Sequence, residues 1–141
     1  MTNDTERAAE GDADLSFLSV LAGIPVADAD EATAWYTRFL GRVPDMQPMP
    51  GVAEWVLAAG ATLQLVHRPQ AAGFGFTRLE VADLDRAISA IEARGFTPTD
   101  VGRYEGIVKY ADYLDPSGNE VSIVEALFDV TRFPAPPAAA D

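Results

Sequence analysis

The sequence predicts an α+β fold built from two copies of one module, a strand, a helix and three further strands (βαβββ). The first observation is a short repeat, in which Val26-Ala27-Asp28 recurs as Val81-Ala82-Asp83. In both copies an apolar, strand-like run precedes the repeat and an amphipathic segment follows it, as expected for a strand that leads into a helix. The second observation is a series of short strand candidates after each helix.

The first strand is predicted over Phe17 to Val26 and its counterpart over Phe74 to Val81. Asp28 and Asp83 stand where a carboxylate accepts from the free amides of a helix N-terminus. Apolar residues then recur at helical spacing, at Ala32, Trp35, Tyr36, Phe39 and Leu40 in the first copy and at Leu84, Ala87, Ile88 and Ile91 in the second. Gly41 and Gly95 follow, at positions where helices commonly end in the left-handed conformation.

The remaining strands are predicted over 53–58, 62–67, 97–102, 107–113 and 120–125. The last two are joined by Asp115-Pro116-Ser117-Gly118-Asn119, a strong turn sequence. A strand over 43–49 is needed to complete the first module. Three prolines, Pro44, Pro48 and Pro50, oppose a central position for this strand because proline donates no backbone hydrogen bond.

The chain of 141 residues suits one domain, which we place at 15–130 with modules of about 15–70 and 71–130. Residues 1–14 lack periodicity and are predicted to be a disordered tail, and residues 131–141 a Pro- and Ala-rich C-terminal tail. The polar, acidic N-terminal residues are not expected to act as a signal peptide, and no apolar run of this sequence is long enough to span a membrane. A cytoplasmic location is predicted.

Charge and cysteine content exclude several classes of function. Ten Lys and Arg oppose 22 Asp and Glu, a formal net charge of -12. We therefore predict no nucleic-acid partner and no membrane partner, since both partners are anionic and attract Lys and Arg. The absence of cysteine excludes disulfides, thiolate metal sites and cysteine nucleophiles.

The residues around the first helix and the last turn resemble a known family. Ile24 to Asp28, the segment Ala34-Trp35-Tyr36-Thr37-Arg38-Phe39-Leu40-Gly41 and the turn Asp115 to Asn119 are similar, in this order, to motifs of the vicinal oxygen chelate superfamily. This superfamily contains glyoxalases, bleomycin-resistance proteins and extradiol dioxygenases. The resemblance implies a curved, mostly antiparallel sheet around a cup, with the helices outside, and a homodimer or module exchange that completes the cup.

Metal-dependent members of this family carry ligands on the first and last strands of each module. The resemblance places those positions at Leu21, Gln64, Phe76 and Ser122. Only Gln64 offers a weak metal ligand, because divalent metals here require imidazole or carboxylate groups. The single histidine, His67, is three residues beyond Gln64 and should face the other side of the strand. We therefore predict a member without a metal site and without a cofactor.

The cup should instead bind a small molecule, since its predicted lining is apolar and aromatic with a few polar groups. The predicted ligand-binding residues are Leu21, Trp55, Gln64, Phe74, Phe76, Arg78 and Ser122. The directions in which Trp55, Tyr104, Tyr110 and Tyr113 face are not set by the sequence. No catalytic residue is assigned.

Two functions are compatible with these features. The first is a metal-independent binding protein of the glyoxalase/bleomycin-resistance type that sequesters an aromatic drug or natural product. The alternative is a metal-independent isomerase, lyase or cyclase acting on a small metabolite, with Glu80 or Glu120 as the base. A structural or regulatory module is the third possibility, and no sequence feature decides among them.

Overall fold

A computed structural model describes residues 15–128, so the predicted tails at 1–14 and 131–141 lie outside the described residues. The elements are β1 (Val20–Val26), α1 (Ala29–Leu40), β2 (Met46–Met49), β3 (Val52–Ala58), β4 (Ala61–His67), a short 3-10 helix (Pro69–Ala71), β5 (Phe76–Glu80), α2 (Leu84–Ala93), β6 (Asp100–Tyr104), β7 (Val108–Leu114) and β8 (Glu120–Ala126). No helix within this described part is long and apolar enough to cross a membrane.

The predicted pair of βαβββ modules is confirmed. The first module forms a four-stranded sheet in the order β1-β4-β3-β2, and the second forms one in the order β5-β8-β7-β6. In each sheet the first strand pairs in parallel with the last strand, and the other neighbours are antiparallel. The strands therefore form two separate mixed sheets with the same order.

Both predicted helix caps are present. Asp28 Oδ1 accepts from the Glu31 amide at 3.0 Å, and Asp83 Oδ1 accepts from the Arg86 amide at 3.1 Å. Helix α1 ends at Gly41, which has a φ of 79° and donates its amide to the Thr37 carbonyl. The left-handed conformation at this position favours glycine, so the helix ends where the sequence predicts.

Strand boundaries differ from prediction at several places, and β1 begins at Val20, and not at Phe17. Strand β5 begins at Phe76, and not at Phe74, because the amides of Gly73 and Gly75 are bound by the Asn119 side chain. Strand β6 covers 100–104, and not 97–102, because Pro98 has no amide to donate to a ladder. The strand predicted at 43–49 exists as the shorter edge strand Met46–Met49, a place where Pro48 is tolerated.

One hydrophobic core serves both modules. The aromatic residues of α1 contact both sheets: the Tyr36 ring lies 6.1 Å from the Trp55 ring, and the Phe39 ring lies 5.0 Å from the Tyr113 ring. Trp35 stacks on Phe39 at 4.8 Å. Helix α1 of the first module therefore packs against the second sheet as well as its own, and this packing holds the two modules together.

The turn at Asp115 to Asn119 joins the modules through hydrogen bonds. Tyr36 donates its hydroxyl to Asp115 Oδ2 at 2.8 Å, and Ser117 Oγ accepts from the Ala27 amide at 2.9 Å. Fully buried Asn119 donates Nδ2 to the Pro25 carbonyl at 2.7 Å. Burial and the adjacent Asp115 carboxylate raise the pKa of the Tyr36 hydroxyl above its ordinary value. The turn that contributes to the family resemblance thus connects the two modules of the chain.

Candidate functional site

Strand alternation gives each sheet a core face, which packs under the helices, and an opposite face that we call the open face. Ile24, Val26, Leu63 and Leu65 are buried on the core face of the first sheet, and Ala111, Tyr113, Val121 and Ile123 on that of the second. The open face of the first sheet carries Leu21, Gly23, Val52, Glu54, Val56, Thr62, Gln64 and Val66. The open face of the second sheet carries Phe76, Arg78, Asp100, Tyr104, Val108, Tyr110, Asp112, Glu120, Ser122 and Val124.

The four positions that the family resemblance assigns to metal ligands all lie on the open faces, at matching places in the two sheets, and we call them the former ligand positions. Leu21 pairs with Thr62 as Phe76 pairs with Glu120. Two residues further along, Gly23 pairs with Gln64 as Arg78 pairs with Ser122. The two modules therefore present these four residues at equivalent points of their sheets.

The residues at these positions do not fit a divalent metal. Leu21 and Phe76 offer no donor atom. Gln64 donates Nε2 to Glu54 Oε2 at 2.7 Å, and Ser122 donates its hydroxyl to Asp112 Oδ1 at 2.7 Å. Within residues 15–128 no three or more His, Cys, Asp or Glu side chains come together as a metal would require. No step of the chemistry is therefore assigned to a metal.

On the last strand of each module, the former ligand position lies directly across from a carboxylate on the neighbouring strand. Glu54 lies directly across from Gln64 on β3, and Asp112 lies directly across from Ser122 on β7. Glu54 and Ser122 are buried, although both are on open faces. Sequence analysis did not assign either carboxylate to the site. Counting in steps of two along β3 and β7 from their paired strands would have found both.

The open face of the second sheet holds a cavity of about 320 Å³, lined by Arg78, Asp100, Tyr104, Val108, Tyr110, Asp112 and Val124. The rings of Tyr104 and Tyr110 lie 5.8 Å apart and are inclined by 30°. Tyr110 can lie over β6 because residue 102 is glycine, where an added Cβ would be 2.5 Å from the Tyr110 hydroxyl oxygen. The volume is at the lower end of the range for ligand pockets.

The polar groups of the cavity are two carboxylates, which only accept, together with one guanidinium and two tyrosine hydroxyls. Asp100 and Asp112 are direct partners across β6 and β7. Tyr110 donates its hydroxyl to Asp100 Oδ2 at 3.2 Å. Desolvation, reinforced by the Asp100 carboxylate, raises the pKa of the Tyr110 hydroxyl above its ordinary value. The arrangement offers aromatic faces for stacking and carboxylate oxygens for hydrogen-bond donors.

Only one of the seven predicted ligand-binding residues, Arg78, lines this cavity. Its guanidinium carbon lies 4.7 Å from the centre of the Phe76 ring, so Phe76 is adjacent. Ser122 does not line the cavity, but it donates its hydroxyl to Asp112, which does. Leu21 and Gln64 are on the other open face, in the first sheet.

Two predicted site residues lie elsewhere. Trp55 is fully buried on the core face of β3, and its indole nitrogen donates to the Arg42 carbonyl at 3.0 Å. It does not line the cup, which corrects the expectation that a ligand stacks on it. Phe74 is in the loop before β5 with 87% of its surface exposed, because the strand begins two residues later than predicted.

Other residues named from the sequence lie outside the cavity lining. His67 shares a hydrogen bond of 3.1 Å with the Ala27 carbonyl at the end of the first sheet. The proposed bases of the enzyme alternative, Glu80 and Glu120, do not line the cavity either. The sequence analysis did not assign Asp100, Val108 and Asp112 to the site and left Tyr104 and Tyr110 without a direction, because these residues meet only through the pairing of β6 with β7.

The fold and the site together define a protein of two βαβββ modules whose metal-ligand positions cannot hold a metal and whose second sheet carries an aromatic, carboxylate-bearing cavity. The chain belongs to the Glyoxalase/Bleomycin resistance protein/Dioxygenase superfamily, whose family model matches residues 18–123.

Solved structures of the superfamily share this fold. A glyoxalase / bleomycin resistance protein from Catenulispora acidiphila DSM 44928 is 37% identical, with a TM-score of 0.73, over 77% of this chain and 98% of that chain. The antibiotic-binding protein TnmS3 from Streptomyces sp. CB03234 is 21% identical, with a TM-score of 0.66, over 82% of this chain and 99% of that chain. Lactoylglutathione lyase from Agrobacterium tumefaciens is 18% identical, with a TM-score of 0.62, over 74% of this chain and 90% of that chain. No curated protein sequence matches the chain significantly.

Proposed function

We propose that this protein binds and sequesters a planar aromatic small molecule, such as a drug or natural product, without chemical conversion and without a metal. The observation that carries the proposal is the cavity of about 320 Å³ on the open face of the second sheet, with Tyr104 and Tyr110 in its lining. Aromatic side chains bind planar ligands by offset stacking, which contributes roughly 0.5–1.5 kcal/mol beyond the buried area.

The chemistry of the former ligand positions supports binding over catalysis. Glyoxalase and dioxygenase reactions use a metal as Lewis acid or oxygen binder, and Leu21 and Phe76 remove two of the four ligands. The hydroxyl of Ser122 is committed to Asp112. The superfamily also contains proteins that act by binding, and TnmS3, of the same fold, is an antibiotic-binding protein.

The residues proposed to contact the ligand extend beyond the cavity lining. Phe76 has 56% of its surface exposed on the same open face, so its ring is available for contact beside Arg78. Leu21 and Gln64 are proposed to contact the ligand from the open face of the first sheet. Burial of a ligand against these apolar groups contributes about 25 cal/mol per Å², before the costs of association.

The test is equilibrium dialysis of the purified chain against a panel of planar aromatic antibiotics, followed by mass spectrometry of the recovered compound. We expect saturable binding of at least one compound, which is recovered unchanged. Tyr104→Ala should weaken this binding by about tenfold, the loss of ~1.4 kcal/mol. Ile107→Ala is the matched control, because Ile107 is similarly exposed in the next turn and does not line the cavity.

Two results would contradict the proposal. Equal affinity of the Tyr104→Ala chain and the unmodified chain places the ligand outside the cavity. Catalytic consumption of the compound supports the alternative, a metal-independent isomerase, lyase or cyclase, because a sequestering protein leaves its ligand intact.

A further inference from the structure

We infer that the cavity of the second sheet recognises a protonated amine, so that the ligand of this protein is an aromatic compound that carries an ammonium group. The inference rests on the proposed function and assigns a charge to the ligand of the same site. Its basis is that two carboxylates and two tyrosine rings line the same cavity, and that neither carboxylate has a cationic partner.

The two carboxylates, Asp100 and Asp112, face the same cavity from adjacent positions on neighbouring strands. Like charges directly opposite each other on a sheet are destabilising. Each carboxylate has one neutral hydroxyl donor: Tyr110 donates to Asp100 at 3.2 Å, and Ser122 donates to Asp112 at 2.7 Å. A hydroxyl donor satisfies one oxygen and leaves the charge uncompensated.

No cation of the described chain forms an ion pair with either carboxylate. Within residues 15–128 no Lys or Arg nitrogen lies within 4.0 Å of Asp100 or Asp112. Arg78, which also lines the cavity, has its guanidinium 4.7 Å from the Phe76 ring centre. The three charged side chains of the lining sum to -1, with one Arg against two Asp. A bound ammonium group would provide the missing positive charge.

The aromatic lining favours the same ligand class. A cation is attracted to the face of an aromatic ring within about 6 Å of its centre, and the Tyr104 and Tyr110 rings are 5.8 Å apart at the same cavity. The ammonium N–H groups would donate to the carboxylate oxygens, and the adjoining ring system would stack on tyrosine. The formal net charge of -12 adds long-range attraction for a cation.

The test compares two probes that differ only in charge at neutral pH, 2-naphthylmethylamine and 2-naphthylmethanol, by titration calorimetry on the full chain. The amine is expected to bind at least tenfold more tightly than the alcohol. Asp112→Asn should remove most of this preference, with about a tenfold loss for the amine and no change for the alcohol. The isosteric Asn keeps an oxygen to accept from Ser122, which protects the fold.

Glu105→Gln is the matched control, because it removes one negative charge from an exposed residue that pairs with Arg103 outside the cavity. It should leave both affinities unchanged. Asp100→Asn is the second variant, and it reports on the same cavity if Asp112→Asn does not fold. A combined Asp100→Asn and Asp112→Asn chain should bind both probes equally.

Equal affinities of the amine and the alcohol for the unmodified chain would overturn the inference, while the proposed binding of a planar aromatic ligand would stand. The inference also fails if neither probe binds at millimolar concentration, and dialysis against neutral antibiotics then decides the proposed function separately. An equal loss of amine binding in Glu105→Gln and Asp112→Asn would reduce the effect to net charge and contradict a specific site.

Discussion

Tyr36 and Tyr113 are both buried in the core, but their hydroxyl groups differ in hydrogen bonding. Tyr36 donates to Asp115 at 2.8 Å, whereas the buried Tyr113 hydroxyl has no partner among residues 15–128. The same substitution at the two positions therefore separates the contribution of a hydrogen bond from that of the ring.

We expect Tyr36→Phe to lower the free energy of unfolding by about 1–3 kcal/mol, because Asp115 loses a buried donor. Tyr113→Phe, the matched control, should leave stability unchanged or raise it by up to about 1 kcal/mol, since it removes an unpaired buried polar atom. Urea denaturation followed by circular dichroism measures both. A loss in Tyr113→Phe as large as in Tyr36→Phe would show that the hydroxyl of Tyr113 has a partner after all.

The stability difference between the unmodified chain and Tyr36→Phe should depend on pH. Burial and the Asp115 carboxylate raise the pKa of Tyr36 above 10.0 in the folded chain. Above about pH 10 the unfolded chain releases this proton and the folded chain keeps it, so the stability that the hydroxyl confers falls. The difference should be constant between about pH 7 and pH 9 and narrow above about pH 10. Urea denaturation of both chains in each of these two pH ranges tests the prediction. A stability difference that widens at high pH would contradict it.

At the scale of elements, the turn Asp115 to Asn119 matters more than its length suggests. Asn119 accepts from the amides of Gly73 and Gly75 at 2.9 and 2.8 Å and donates to the Pro25 carbonyl, which connects three segments. Ser117 makes one bond between modules, to the Ala27 amide.

Asn119→Ala should cost about 2–5 kcal/mol, because several buried backbone groups lose their partner together. Ser117→Ala should cost only about 0.5–1.5 kcal/mol, as expected for one partly exposed hydrogen bond. Thermal unfolding of both variants in parallel measures the difference. Similar small losses in the two variants would mean that core packing alone holds the modules together.

The same elements show how far sequence reasoning extends. The repeat, both caps and the turn each have a local cause, so the βαβββ modules were predicted with small boundary shifts. The direction in which Trp55 faces could not be predicted. Ala53, Glu54 and Trp55 are buried in succession, so strand β3 shows no apolar-polar alternation. Asp100 and Asp112 meet through the pairing of β6 and β7, and sequence spacing alone does not fix such a register.

For the whole molecule, the donor set of the former ligand positions predicts that the purified chain contains no stoichiometric divalent metal. Leu21 and Phe76 supply no lone pair, and the Ser122 hydroxyl is bonded to Asp112. Elemental analysis of untagged protein should find far less than one zinc, iron or manganese per chain. About one equivalent that persists after dialysis against a mild chelator would contradict the assignment.

The last prediction is that the protein is a homodimer in solution. Both open faces carry exposed apolar side chains, such as Leu21 at 48% and Phe76 at 56% exposure, and no element of residues 15–128 covers them. Strands β2 and β6 are also edge strands, and unpaired edges favour association unless they are covered. A stable interface of about 1,200–2,000 Å² would remove much of this apolar surface from water. We expect light scattering coupled to gel filtration to give twice the chain mass of 15.1 kDa.

Phe76→Glu should shift the equilibrium towards monomer, because a charge would then be buried without a partner. Val43→Glu is the matched control, since Val43 is also apolar and 70% exposed but lies in the loop after α1, outside the strands of both sheets. A single species of 15.1 kDa at tens of micromolar concentration would exclude the dimer, and the ligand would then have to be bound by the open faces of one chain alone.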